Sequence, residues 1–130
     1  MEIEQYIIDI RSYRQQADAY DDSAPGAILE KIRLLTAAHM LMGRVAAVRE
    51  GEHARIYAAR KIAYAQAKKD APKGEKETAG ELATADLRML EARALEEKMI
   101  WKNEFSSLRE HIYELRLRVR HDMHTLGGGD

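Results

Sequence analysis

The stretch WKNEFSSLREHIYELRLRV, residues 101–119, decides how the rest of the chain is read. Its apolar residues fall at Trp101, Phe105, Leu108, Ile112, Leu115 and Val119, so that intervals of four and three alternate. A half-buried strand would alternate at every second position, whereas this pattern keeps one stripe on a single face of a helix. It is also the rhythm of a coiled-coil seam, where each apolar side chain enters a hole on a facing helix. The stripe extends back through Ala94, Leu90 and Leu87 and forward to Leu126, predicting one helix over about 77–126. At about 1.5 Å rise per residue such a helix is a rod of about 75 Å. The glycine-rich end, 127–130, reads as a disordered tail.

Working upstream, Asp70-Ala71-Pro72-Lys73-Gly74 is a break, because proline disfavours helix at the residue before it. Before it, a second helix is predicted over about 27–69, with an early stripe of Ile28, Ile32, Leu35, Met42 and Val45. Leu34, Met40 and Leu41 thicken that stripe, so this part is expected to meet several neighbours. Gly43 and Gly51 are its weak points, suited to close helix approach or to a bend. A first helix, about 2–20, shows Ile3, Tyr6, Ile7, Ile10, Tyr13 and Ala17 at helical spacing and ends in the turn cluster Asp21 to Gly26. The expected fold is therefore all-α: a short N-terminal helix plus an antiparallel hairpin of two long amphipathic helices, in one domain over residues 1–126.

Composition agrees. In 130 residues, 45% are hydrophobic and 33% charged, with only 2 prolines and 6% aromatics, a balance typical of long helices rather than sheets. A hairpin with one short extra helix cannot cover every apolar stripe, so homo-oligomerisation is expected, through Trp101, Phe105, Leu108, Ile112, Leu115 and Val119. With no cysteine, disulfides and thiolate metal sites are excluded. No apolar run reaches the roughly 18 residues that span a bilayer, and the polar faces mix acid with base, so no membrane contact is expected.

Charge is unevenly distributed although the net value is −1. The first helix is acidic, with Glu2, Glu4, Asp9, Asp18, Asp21 and Asp22 against Arg11 and Arg14. The second half of helix two is basic, and His53, Tyr57, Arg60, Lys61, Tyr64 and Lys68 share about a third of its circumference. Cations interleaved with tyrosines suit a single-stranded nucleic acid, whose phosphates meet the charges while bases stack on the rings. A second such face lies late in helix three, at Arg109, Tyr113, Arg116 and Arg120, with His124 beyond. The plainer alternative is a solvated face whose cations pair with neighbours such as Glu110 and Glu114.

Chemistry of other kinds finds little support. His121 and His124 sit three apart near a helix end, where the dipole favours histidine, and no further ligand completes a metal set around them or His111. His39 reads as a core histidine or an intersubunit contact. Glu50 and His53 have the spacing of a di-metal bundle motif, but a matching second pair is missing, and Glu91, Glu96 and Glu97 do not supply it. No phosphate-binding loop or nucleophile signature occurs, so neither an enzyme nor a cofactor or metal site is expected.

The order of features resembles the UvsY-type recombination mediator family of bacteriophages over most of the chain. The residues that carry the likeness are Arg60-Lys61-Ile62-Ala63-Tyr64, the break Pro72-Lys73-Gly74, the central Trp101 and the late His121-Asp122-Met123-His124. The resemblance implies an oligomer that binds single-stranded DNA during DNA recombination and assists a recombinase against single-strand-binding protein. It places Arg60 and Lys61 on the DNA with Tyr64 beside them, and makes the long C-terminal helix the assembly element. The chain departs from the family in being slightly acidic overall. The implied location is the cytoplasm of a bacterium or of a phage-infected host. The alternative is a helical scaffold or adaptor acting only through protein–protein contacts.

Overall fold

The computed structural model describes the backbone of residues 2–127 and side chains as far as His124; the side chain of Leu126 and the segment 128–130 lie outside the described residues. Four helices follow one another: α1 (Glu2–Asp18), α2 (Pro25–Asp70), α3 (Lys76–Ala83) and α4 (Ala85–Gly127), with no strand among the described residues. Contacts divide the chain into two compact units. One combines the chain up to Ala46 with the chain from Trp101 onward, and the other is Ala47–Ile100. α2 and α4 each contribute to both.

In the first unit, α1, the early part of α2 and the late part of α4 enclose one core. Ile10 and Ala17 enter it from α1, Ile28, Leu35, Met42 and Val45 from α2, and Leu108, Ile112, Leu115 and Val119 from α4. This corrects the sequence expectation for the 101–119 seam. Leu108, Ile112, Leu115 and Val119 are buried by the chain's own helices, and Trp101 and Phe105 pack against the same core. Leu108, Ile112, Leu115 and Val119 therefore leave little surface for a second copy, while Trp101 and Phe105 stay half-buried. Met40 also departs from expectation: it is exposed, because it lies about 160° around the helix from buried Met42. Gly43 does permit close approach, since a Cβ there would lie 3.0 Å from Phe105 Cε1. Phe105 in turn stacks on His39, ring centroids 4.0 Å apart, and its carbonyl accepts a hydrogen bond from His39 Nε2 at 3.1 Å. His39 is thus held within the chain.

The turn between α1 and α2 is fastened by aspartates. Asp21 accepts from the Ser23 amide at 2.9 Å and from the Ser23 hydroxyl at 2.7 Å, a side-chain-closed turn that leads into Pro25 at the first helical position. Asp22 pairs with Lys31 of α2 at 2.8 Å and with Arg118 of α4 at 3.4 Å. The Lys31 hydrogen bond, with the charge of Arg118 adding to it, holds the Asp22 carboxyl below the usual carboxylate range. A group depressed in the folded state contributes stability above its unfolded pKa and loses it as pH falls through the folded value. Thermal unfolding should therefore drop in temperature on acidification below about pH 4. An Asp22→Asn chain should show a smaller drop over the same window, and an equal drop in both would remove Asp22 from the account.

The second unit has few buried residues among those described: Gly80, Thr84 and Ala94. Its pairings between α2 and α4 run in opposite order along the two helices: Arg49 with Glu97 at 3.7 Å, then Arg60 with Glu91. Between α2 and α3, Lys76 Nζ donates to the carbonyls of Lys68 and Ala71, at 2.7 and 2.9 Å, satisfying orphan acceptors at the end of α2. Gly74 takes φ +93°, which a side chain would resist, and turns the chain there.

The helix expected to run unbroken over 77–126 is interrupted at Thr84. This residue is 1% exposed, and its hydroxyl donates to the Gly80 carbonyl at 2.8 Å. Such back-bonding competes with the backbone ladder and bends helices. The break brings buried Gly80 under the ring of Tyr64, where an added Cβ would stand 2.6 Å from Cε2 and 2.8 Å from Cδ2. Gly→Ala inside a helix ordinarily stabilises by about 1 kcal/mol. Here the sign should reverse, with a net loss of about 1–3 kcal/mol from overpacking, measurable by urea unfolding. A stabilised Gly80→Ala chain would show that the ring yields freely.

Candidate nucleic-acid interface

On α2 the helical repeat brings the predicted basic and aromatic residues onto one face. Tyr57, 41% exposed, is the centre of the group. Arg60 Cζ lies 5.3 Å and Lys61 Nζ 5.1 Å from its ring centroid, and the His53 ring is 6.5 Å away. These separations suit cation–π attraction, which orients both cations beside the ring. Two turns later Lys68 Nζ lies 5.3 Å from the centre of the Tyr64 ring.

The residues are not equally available. Arg60 is half-buried and pairs with Glu91 of α4, and that hydrogen bond raises its pKa further. Much of its charge is therefore already answered, and it serves as the fixed side of the cluster. Tyr64 is partly buried against Gly80, so its ring offers less area for stacking than Tyr57. Lys61 and Lys68 have no ion pair among the described residues. The chemistry on offer is one accessible aromatic platform, two uncommitted ammonium groups and a guanidinium held in place from behind.

The second predicted face lies in the first unit. Arg109, Tyr113, Arg116 and Arg120 are exposed on α4, and Tyr113 is 59% exposed. Among the described residues Arg109 forms an ion pair with Glu110, at 4.0 Å, while Arg116 and Arg120 have none. Instead of forming an open stripe, the four border a groove with α2, a feature that spacing on one helix could not reveal. Two clefts make up the groove, of about 480 and 180 Å³. A further cleft of about 500 Å³ lies on α4 alone, lined by Asp86, Met89, Leu90, Ala92, Arg93 and Glu96.

Among the described residues no group of three or more histidine, aspartate or glutamate side chains converges as a metal site would require. No helix among them is long and apolar enough to cross a membrane. Compared with protein-family models, curated proteins and solved structures, the chain matches none. Function rests on the residues.

Proposed function

We propose that the chain is a helical assembly protein of the recombination-mediator type, which binds single-stranded DNA through the Tyr57 face of α2 and assists loading of a recombinase. The observation that carries this reading is the Tyr57 ring, exposed and flanked by Arg60 and Lys61 at just over 5 Å. A base stacked on such a ring gains about 1–3 kcal/mol, while adjacent cations take the phosphates on either side. The resemblance to UvsY-type mediators points to Arg60 and Lys61, with Tyr64 beside them.

In this reading α2 and α4 form an antiparallel hairpin and copies associate. The crosswise pairings of Arg49 with Glu97 and Arg60 with Glu91 favour the hairpin. Association draws support from apolar side chains left open in the second unit, among them Ile62, Leu82, Met89 and Ile100. With the 101–119 seam filled from within, those residues are the better assembly surface. The same residues also favour a second reading, a scaffold that meets other proteins and no nucleic acid.

Photo-cross-linking separates the two. An oligonucleotide carrying iodouracil forms adducts with aromatic rings stacked on the modified base, so peptide mapping should place adducts on Tyr57. Efficient cross-linking confined to other residues would contradict the assignment, and none at all would favour the scaffold.

A further inference from the structure

The groove in the first unit has the features of an empty helix seat. Leu29, Ile32 and Thr36 form its α2 wall, and Ile112, Val119 and Met123 line its α4 side. At 100° per residue, Leu29, Ile32 and Thr36 lie within about 60° of one another on α2. On both helices the lining falls on the flank away from the contacts with α1 and its turn, such as Arg44 with Tyr6 and Arg118 with Asp22. Three helices therefore enclose the core, and the groove lies where a fourth would complete a bundle.

Its charge selects the occupant. Arg109, Arg116 and Arg120 border the groove, and no aspartate or glutamate lines either cleft. Arg116 and Arg120 are unpaired among the described residues. Tyr113 and His39 line only the smaller cleft, while the larger one is walled by Leu29, Ile32, Val119 and Met123. That aliphatic surface suits leucine-like side chains better than bases, which seek aromatic platforms. From Arg109 to Met123 the seat runs about 21 Å, the length of about fourteen helical residues.

We propose that this groove docks an amphipathic helix of a partner protein, apolar on one face and acidic along its flanks. Its carboxylates pair with Arg109, Arg116 and Arg120 while its apolar face covers Leu29, Ile32, Val119 and Met123. This interaction is separate from the Tyr57 face and does not depend on nucleic-acid binding.

The test uses the full chain and a fluorescein-labelled synthetic helical peptide with leucine on one face and glutamate on both flanks. Anisotropy should rise saturably with this peptide and not with a version carrying lysine for glutamate. Arg116→Glu with Arg120→Glu should weaken binding on the order of tenfold or more, since like charge then faces the peptide. Leu29→Glu, at a half-exposed position on the opposite wall, should weaken it too, whereas Lys61→Ala with Lys68→Ala should leave it unchanged. Circular dichroism checks that each variant folds. Failure of the acidic peptide to bind overturns the proposal. In that event, loss of oligonucleotide affinity in the double arginine variant reassigns the groove to nucleic acid, and a smaller assembly in the same variant reassigns it to a second copy.

Discussion

Leu115→Ala is expected to destabilise the first unit by about 2–5 kcal/mol, the cost of lost transfer energy plus a cavity that neighbours cannot fill. Leu115 is fully buried, in the same core as Ile28, Met42 and Val45, so its removal leaves space walled by residues from two helices. For a domain of ordinary stability that loss is a large fraction of the total. Leu90→Ala supplies the contrast: Leu90 is 49% exposed, and its truncation should cost well under about 1 kcal/mol. Urea denaturation of both variants measures the difference. If the 101–119 seam instead closed between copies, the Leu115→Ala midpoint would shift with protein concentration as assembly weakened.

The second large effect is on nucleic-acid affinity. Replacing Arg60 is a poor probe, because it leaves Glu91 unpaired on a partly buried surface and mixes instability with lost binding. Lys61→Ala with Lys68→Ala avoids this, as neither lysine is ion-paired among the described residues. Each removes one phosphate contact, so on a single strand the slope of log affinity against log salt should fall by about 1.4 units in all. At low salt the affinity itself should drop on the order of tenfold. Unchanged slope and affinity in the folded double variant would move the contact elsewhere.

The helices themselves were legible because apolar spacing of three and four persists through most of the chain. The break at Thr84 was not, since Ala83-Thr84-Ala85 reads as continuous helix. The break coincides with a buried hydroxyl bonded back to the Gly80 carbonyl four residues earlier, next to the close contact of Gly80 with Tyr64. The rhythm of 101–119 announced a buried seam without saying what would bury it. Rod length then suggested other copies, whereas α1 and α2 of the same chain fill the role.

The candidate site divides in the same way. Helical periodicity places Tyr57, Arg60 and Lys61 together, and the structure keeps them so. That Arg60 is answered by Glu91, 31 residues further on, is a pairing no local pattern encodes. The arginines of α4 were visible as a stripe. Their apolar counterwall on α2 was not, because a groove belongs to two helices and spacing describes one.

The most direct test of the functional account is fluorescence anisotropy of a labelled, unstructured single-stranded oligonucleotide with the folded wild-type chain, at low and at physiological salt, beside a duplex of the same length. The account predicts binding that weakens steeply with salt and exceeds that to the duplex. No binding at low salt would contradict it and leave a protein-only scaffold.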